Sequence, residues 1–154
     1  MSTQLSQDAI DLLNDKATVK VLATVDSQGV PHAVFKQSLH LGANGRIHLL
    51  ELIESSTTNR NLTGSIWFDR TVSILLRGEN GRSVQIKGRV VKNHISGALF
   101  EQHYVAVREK RGVDLAGVWE IEPEQVLDQD FSIRRAEEDA RHPNLIHFDR
   151  IAVH

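Results

Sequence analysis

Hydrophobic and polar residues alternate along much of this chain with the two-residue period of a β-strand whose faces meet different surroundings. Val19, Val21, Ala23 and Val25 alternate with Lys20, Leu22 and Thr24. Asp26-Ser27-Gln28-Gly29 reads as a turn, and Pro31 opens the next strand, where a missing N–H does least harm. This second strand is predicted over 32–41, with Ala33, Phe35, Leu39 and Leu41 on one face and His32, Val34, Lys36, Ser38 and His40 on the other. Gly42-Ala43-Asn44-Gly45 turns the chain into a third strand, 46–53. Further on, Val72, Ile74 and Leu76 alternate with Ser73, Leu75 and Arg77. Across the turn Glu79-Asn80-Gly81-Arg82, Val84, Ile86, Gly88 and Val90 oppose Ser83, Gln85, Lys87 and Arg89, the cleanest alternation in the chain. A last strand, 115–121, is expected to stop at Pro123.

Helical periods interrupt this rhythm. Ser6 is placed as an N-cap for a helix over 7–15, with Leu5 and Ile10 set to close a hydrophobic staple. Ser55-Ser56-Thr57-Thr58 offers several caps for a short helix within 55–66, continued by Asn59-Arg60-Asn61-Leu62. The longest helix is predicted over 96–111, with Phe100, Tyr104 and Val107 in one stripe and Ile95, Leu99 and Ala106 in another. Two stripes imply packing against more than one surface. Gly112 stands where a C-terminal cap belongs, after Arg108, Lys110 and Arg111. Beyond Asp128 the tail is charged, with a short helix near 135–141. Six strands joined mostly by hairpins cannot shield both faces as an open sheet, so closure into a small antiparallel barrel is expected. The predicted fold is mainly β with accessory helices, one domain over 1–154 with its core in 17–126 and a tail over 128–154.

Composition narrows the function classes. The chain has 154 residues, 40% hydrophobic and 25% charged, values that suit one packed domain. It contains no cysteine, which removes disulfides, thiolate nucleophiles and cysteine-held metals, and fits a reducing cytoplasm. A net charge of −2 supplies no basic field for nucleic acid or anionic lipid. No apolar run approaches the roughly 18 residues of a membrane span. No leader-like segment is visible at Met1-Ser-Thr-Gln-Leu-Ser, and Asn61-Leu62-Thr63 is read as a chance match to a glycosylation acceptor.

Three places can carry chemistry. At Ser55–Thr58, hydroxyls, free N–H groups and the positive helix end converge in a way that suits a phosphate monoester, with Arg60 one turn in. The same residues also suffice as a cap that binds nothing. On the second strand, Lys36 and Ser38 share the polar face while Gln37 interrupts the apolar one, so Gln37 is either paired or used. The histidines, His32, His40, His48, His94, His103, His142, His147 and His154, match no strong metal motif, although His40 and His48 can meet across their hairpin. A site of His142, His147 and Asp149 is conceivable, but a docked tail fits Pro143 and the charged context better. No metal site is expected, and no catalytic residue is assigned.

Taken in order, the elements resemble the FMN-binding split barrels related to pyridoxamine 5′-phosphate oxidase. The resemblance rests on Leu22-Ala-Thr-Val-Asp-Ser-Gln-Gly-Val-Pro-His32, Ser56-Thr-Thr-Asn-Arg-Asn-Leu62, Val72-Ser73 and Val118-Trp-Glu-Ile-Glu-Pro123. It implies a homodimer with FMN in a groove between subunits. Ser56, Thr57 and Thr58 would take the phosphate, with Asn61 beside them. Lys36, Gln37, Ser38, Glu54 and Ser55 would neighbour the ring and ribityl chain, and Trp119 would reach the groove from the partner chain. Thr58 stands where many members carry a phosphate-binding lysine, so Arg60 or Lys36 would supply the charge. Trp67 and Phe68 lie in a segment longer than the family's usual link and are expected to form an extra cover. The chain lacks the Arg-Leu-x-Pro ending of true pyridoxamine phosphate oxidases, which argues against that substrate.

The resemblance thus implies an FMN-dependent oxidoreductase acting on a small molecule that the sequence does not identify, and the cysteine-free composition leads to the expectation of a cytoplasmic protein. A flavin store, sensor or electron carrier, or a haem-binding protein on the same fold, is the alternative.

Overall fold

The computed structural model describes residues 2–143. Its elements are α1 (Gln7–Asn14), β1 (Val19–Val25), β2 (Pro31–Phe35), β3 (His40–Leu41), β4 (Ile47–Glu51), α2 (Thr57–Phe68), β5 (Thr71–Arg77), β6 (Ser83–His94), α3 (Ala98–Arg111), β7 (Gly117–Asp128) and α4 (Phe131–Arg141). The local signals at helix ends hold. Ser6 Oγ accepts from Ala9 N at 3.2 Å, Ser56 Oγ accepts from Asn59 N at 2.9 Å, and Gly112 ends α3 in the left-handed region.

All strand pairs are antiparallel, in the order β2-β1-β5-β6-β7-β4-β3. The sheet has seven strands, not the expected six, because the predicted second strand breaks in two at residues 36–39. Its first half pairs with β1 and its second with β4. Since β2 and β3 are the two ends of the sheet yet neighbours in the chain, the link between them draws the ends together. The sheet is therefore curled into a split barrel.

The curled sheet encloses a cluster of buried apolar residues that runs from Leu5 to Ile121. Leu22, Ile74, Leu76, Ile86 and Ile121 are fully enclosed, as are Leu13 of α1 and Leu62 of α2. On β1 the inward face is Lys20, Leu22 and Thr24, while Val19 is 44% exposed. On β6 the inward face is Val84, Ile86, Gly88 and Val90, as the alternation predicts.

Three further expectations need correction. Pro123 does not end the last strand: β7 runs through it, and Pro123 sits opposite Gly88 where the register shifts. A bulge tolerates the missing donor. The two stripes of α3 are not buried, and no α3 residue is. Phe100 and Tyr104 spend their apolar surface on each other, with ring centroids 5.8 Å apart. The helix after Ser56 extends to Phe68, and Asp69 caps it in the left-handed region. Trp67 and Phe68, its last two residues, are 78% and 69% exposed, and the Arg70 guanidinium lies over the Phe68 ring, 4.9 Å from its centroid.

Candidate functional site

Residues 36–38 are first of all the closure of the barrel. Where β2 leaves β1, the Gln37 side chain takes over the ladder: its Oε1 accepts from Lys20 N at 2.9 Å and its Nε2 donates to Thr18 O at 2.8 Å. The amide thus substitutes for a peptide group, and the glutamine on the apolar face is paired. Ser38 does the same on the opposite side, its Oγ accepting from Leu50 N and donating to Leu50 O, both at 3.1 Å. The buried Lys20 donates to Leu39 O at 3.0 Å from inside. Burial holds its pKa below the usual lysine value, against the opposing pull of Asp15.

Lys36 is tied as well. Its Nζ lies 3.1 Å from Glu51 Oε2, and the Glu51 side chain is 1% exposed. The other Glu51 oxygen accepts from Leu52 N and Ile53 N, each at 3.1 Å, so this carboxylate finishes β4 in place of a further strand residue. Glu51 was not legible as a site residue, because it falls inside a run that reads as ordinary strand.

These residues floor a cleft of about 690 Å³. One part of its lining is Phe35, Lys36, Gln37 and Ser38, another is Leu50, Glu51, Leu52 and Ile53, and α3 contributes His103, Ala106, Val107, Lys110 and Arg111. Lys16, from the turn after α1, completes it. The volume falls within the range of about 300–1,000 Å³ usual for small-molecule and cofactor sites. The α3 residues and Lys16 were missed, because Lys110 and Arg111 read from sequence as charges on a helix end.

The hydroxyl-rich turn begins where the cleft lining ends. Ser56 N donates to Ile53 O at 3.1 Å, and α2 starts at Thr57. Ser55, Thr57 and Arg60 are exposed and Ser56 is half-buried. Thr58 and Asn61 are buried, and Asn61 Nδ2 donates to Thr24 Oγ1 at 3.0 Å. Glu54 is exposed and gives its carbonyl to Asn59 Nδ2 at 2.8 Å. Trp119 is 2% exposed, and its indole N–H donates to Asn59 Oδ1 at 2.9 Å within its own chain. It therefore braces the first turn of α2 from inside the barrel. Of the candidates, Lys36, Gln37 and Ser38 line the cleft, Ser55, Ser56, Thr57 and Arg60 surround the start of α2, and Thr58, Asn61 and Trp119 lie beneath it.

The donor set suits a phosphate-bearing flavin. The first helical N–H groups have no partners within a helix, and exposed hydroxyls and a guanidinium stand beside them. Apolar Leu52, Ile53 and Phe35 offer a platform for a flat ring.

Four histidines gather beside the cleft. His40 and His48 are cross-strand partners with ring centroids 5.6 Å apart, and His103 reaches His40 at 5.5 Å. His94 Nε2 lies 2.9 Å and His48 Nε2 3.5 Å from Glu120 Oε1, while Arg46 NH1 lies 3.0 Å from Glu120 Oε2. Burial lowers the pKa of His48, and burial together with His40 lowers that of His103. At Glu120 burial acts to raise the pKa, but hydrogen bonds from His94 and Arg46 overcome it and hold the carboxyl below its usual range. Among the described residues no group of three or more histidine, aspartate or glutamate side chains is arranged to hold a metal. His147, Asp149 and His154 lie outside the described residues.

No protein-family model matches the chain, and no curated protein matches it. Solved structures do. HupZ of Group A Streptococcus is 20% identical with TM-score 0.67, over 82% of this chain and 95% of that one. A candidate pyridoxamine 5′-phosphate oxidase from Lactobacillus delbrueckii is 19% identical with TM-score 0.61, over 80% and 93%. An FMN-binding protein from Syntrophomonas wolfei is 14% identical with TM-score 0.63, over 77% and 82%. HutZ, the haem storage protein of Vibrio cholerae, is 19% identical with TM-score 0.55, over 82% and 95%. At these identities the likeness is one of fold, and it bears out the fold resemblance drawn from the sequence. The chain has the split-barrel fold of the pyridoxamine 5′-phosphate oxidase-like proteins.

Proposed function

We propose that this protein binds FMN as a homodimer and serves as an FMN-dependent oxidoreductase for a small molecule. The observation that carries the reading is the continuity of two features: the cleft with its apolar platform, and the exposed hydroxyl-rich start of α2 at its edge. A phosphate would sit at the first N–H groups of α2 and the hydroxyls of Ser55, Ser56 and Thr57, with Arg60 as counter-charge. Lys36 is already neutralised by Glu51, which leaves the charge to Arg60. The ring would lie along Ile53 and Leu52 toward Lys36. When bound, the flavin supplies the redox chemistry; the chain orients it and shields it from water. That an FMN-binding protein shares the fold supports the cofactor.

Haem is the second reading, favoured by the shared fold of a haem storage protein and by the histidine group beside the cleft, which includes His103 in the cleft lining. Purified protein separates the two. Flavin absorption with one FMN per chain supports the first, and a Soret band with no flavin uptake supports the second. Anaerobic bleaching of bound flavin by a reduced nicotinamide supports an enzyme; flavin that resists every donor tried supports a store or sensor. A protein that takes up neither chromophore overturns both.

A further inference from the structure

Helix α3 forms one wall of the cleft yet is held to the barrel loosely. None of its residues is buried, and its polar side chains turn to the loop beyond it: Asp114 Oδ1 accepts from Tyr104 OH at 3.2 Å and from Arg108 NH1 at 2.7 Å. Among the described residues no hydrogen bond ties an α3 side chain to a strand. What meets the sheet is a ring, His103 against His40 of β3, with centroids 5.5 Å apart. The helix lies between two glycines, Gly97 with φ 92° and Gly112 with φ 67°, where the backbone has its widest freedom.

A charge on His103 would find no free acid to meet. The charged side chains that share the cleft with it are Lys16 after α1, Lys36 after β2, Lys110 and Arg111 of its own helix, and Glu51 of β4, which Lys36 occupies. Behind His40 stand His48 of β4, His94 of β6 and Glu120 of β7, whose carboxylate is shared among His48, His94 and Arg46. His40 donates Nδ1–H to Ser38 O at 2.7 Å, so a second proton would charge that ring as well. Burial and His40 lower the pKa of His103, and a detached α3 therefore takes up a proton more readily than a docked one. The contribution of His103 to docking is complete above the ordinary 6.5 and is lost as pH falls through the lowered value.

We propose that α3 is a lid on the cleft, latched by the neutral His40–His103 ring contact and released in acid when the rings become charged. The lid concerns the wall of the cleft, so it stands apart from the choice of flavin or haem as occupant.

Amide hydrogen exchange of the full chain tests this, read peptide by peptide by mass spectrometry and corrected for the intrinsic effect of pH. From about pH 7.5 to about pH 5.5, exchange in α3 should rise about tenfold while α1 and α2 stay protected, because a 14-residue helix without its support frays. His103→Phe keeps a ring against His40 but cannot take a proton, so α3 should stay protected at both pH values. His103→Arg carries the charge permanently and should show the fast exchange already at neutral pH. His32→Gln, on β2, should behave as the unaltered chain does. Protection of α1 and α2 in each variant shows that the barrel is folded. An α3 that responds to pH no more than α1 does, or a response that persists in His103→Phe, overturns the proposal.

Discussion

At the scale of single residues, the side chains read from sequence as cofactor contacts divide into those that hold the barrel and those free to meet a ligand. Gln37 belongs to the first group, because both ends of its amide are spent on β1. Gln37→Ala leaves Lys20 N and Thr18 O without their partner, and should lower the free energy of unfolding by about 1–3 kcal/mol. Urea denaturation measures it, and an unchanged midpoint would show that the amide is not needed for closure. Thr57 belongs to the second group. Thr57→Glu adds an acid at a helix N-terminus, where it favours the fold, yet faces the proposed phosphate with a like charge. The variant should melt no lower than the original while binding FMN at least tenfold more weakly. The sequence exposed the hydroxyls of 55–58 as a cluster; it did not show that Thr58 and Asn61 turn inward while Ser55 and Thr57 turn out. That division depends on which side of α2 meets β1 and β6, which no local pattern encodes.

Whole elements show the same contrast between local and distant causes. Caps at Ser6, Ser56 and Gly112 were legible because each acts within one turn of its own chain. The break in the second strand was not, since the side chain of Gln37 imitates the peptide group whose absence would mark the break. The run through Pro123 was hidden for a related reason: its partner Gly88 lies on another strand. A Cβ at Gly88 would come within 2.5 Å of the Glu122 carbonyl oxygen, a backbone atom that cannot step aside. Gly88→Ala should therefore cost about 1–3 kcal/mol, read as a lower thermal midpoint, and an unchanged midpoint would mean that β6 and β7 part freely there.

The histidine flank predicts how stability follows pH. His48 and His103 have folded pKa values below the ordinary 6.5, so the unfolded chain binds more protons as pH falls. Their contribution is complete above pH 6.5 and is lost as pH falls from 6.5 through the lowered folded values. Glu120, held below its ordinary 4.5, adds stability above pH 4.5 that is lost below it. Denaturation midpoints should accordingly decline below pH 6.5, and His48→Gln should flatten the upper part of that decline. A midpoint that rises on acidification would contradict the burial of these rings.

For the whole molecule, the outer face of the curled sheet matters most. A row of cross-strand neighbours, Phe35, Val21 and Leu75, runs over β2, β1 and β5, with Phe35 72% and Leu75 41% exposed. Such a face suits the second copy that the proposed homodimer requires. Sedimentation should give twice the 17.3 kDa chain mass. Leu75→Arg should shift the protein toward monomer. A chain that sediments as a monomer at every concentration would leave the proposed flavin cleft without its second wall. No helix among the described residues is long and apolar enough to cross a membrane.

The central claim is that the start of α2 grips a phosphate at the edge of the cleft, and the most direct test compares FMN with riboflavin, which differs only by that phosphate. Titration of flavin-free protein should give one FMN per chain and an affinity at least tenfold higher than for riboflavin, with the advantage lost in Thr57→Glu. Equal affinity for the two flavins, or no uptake of either, would contradict the account.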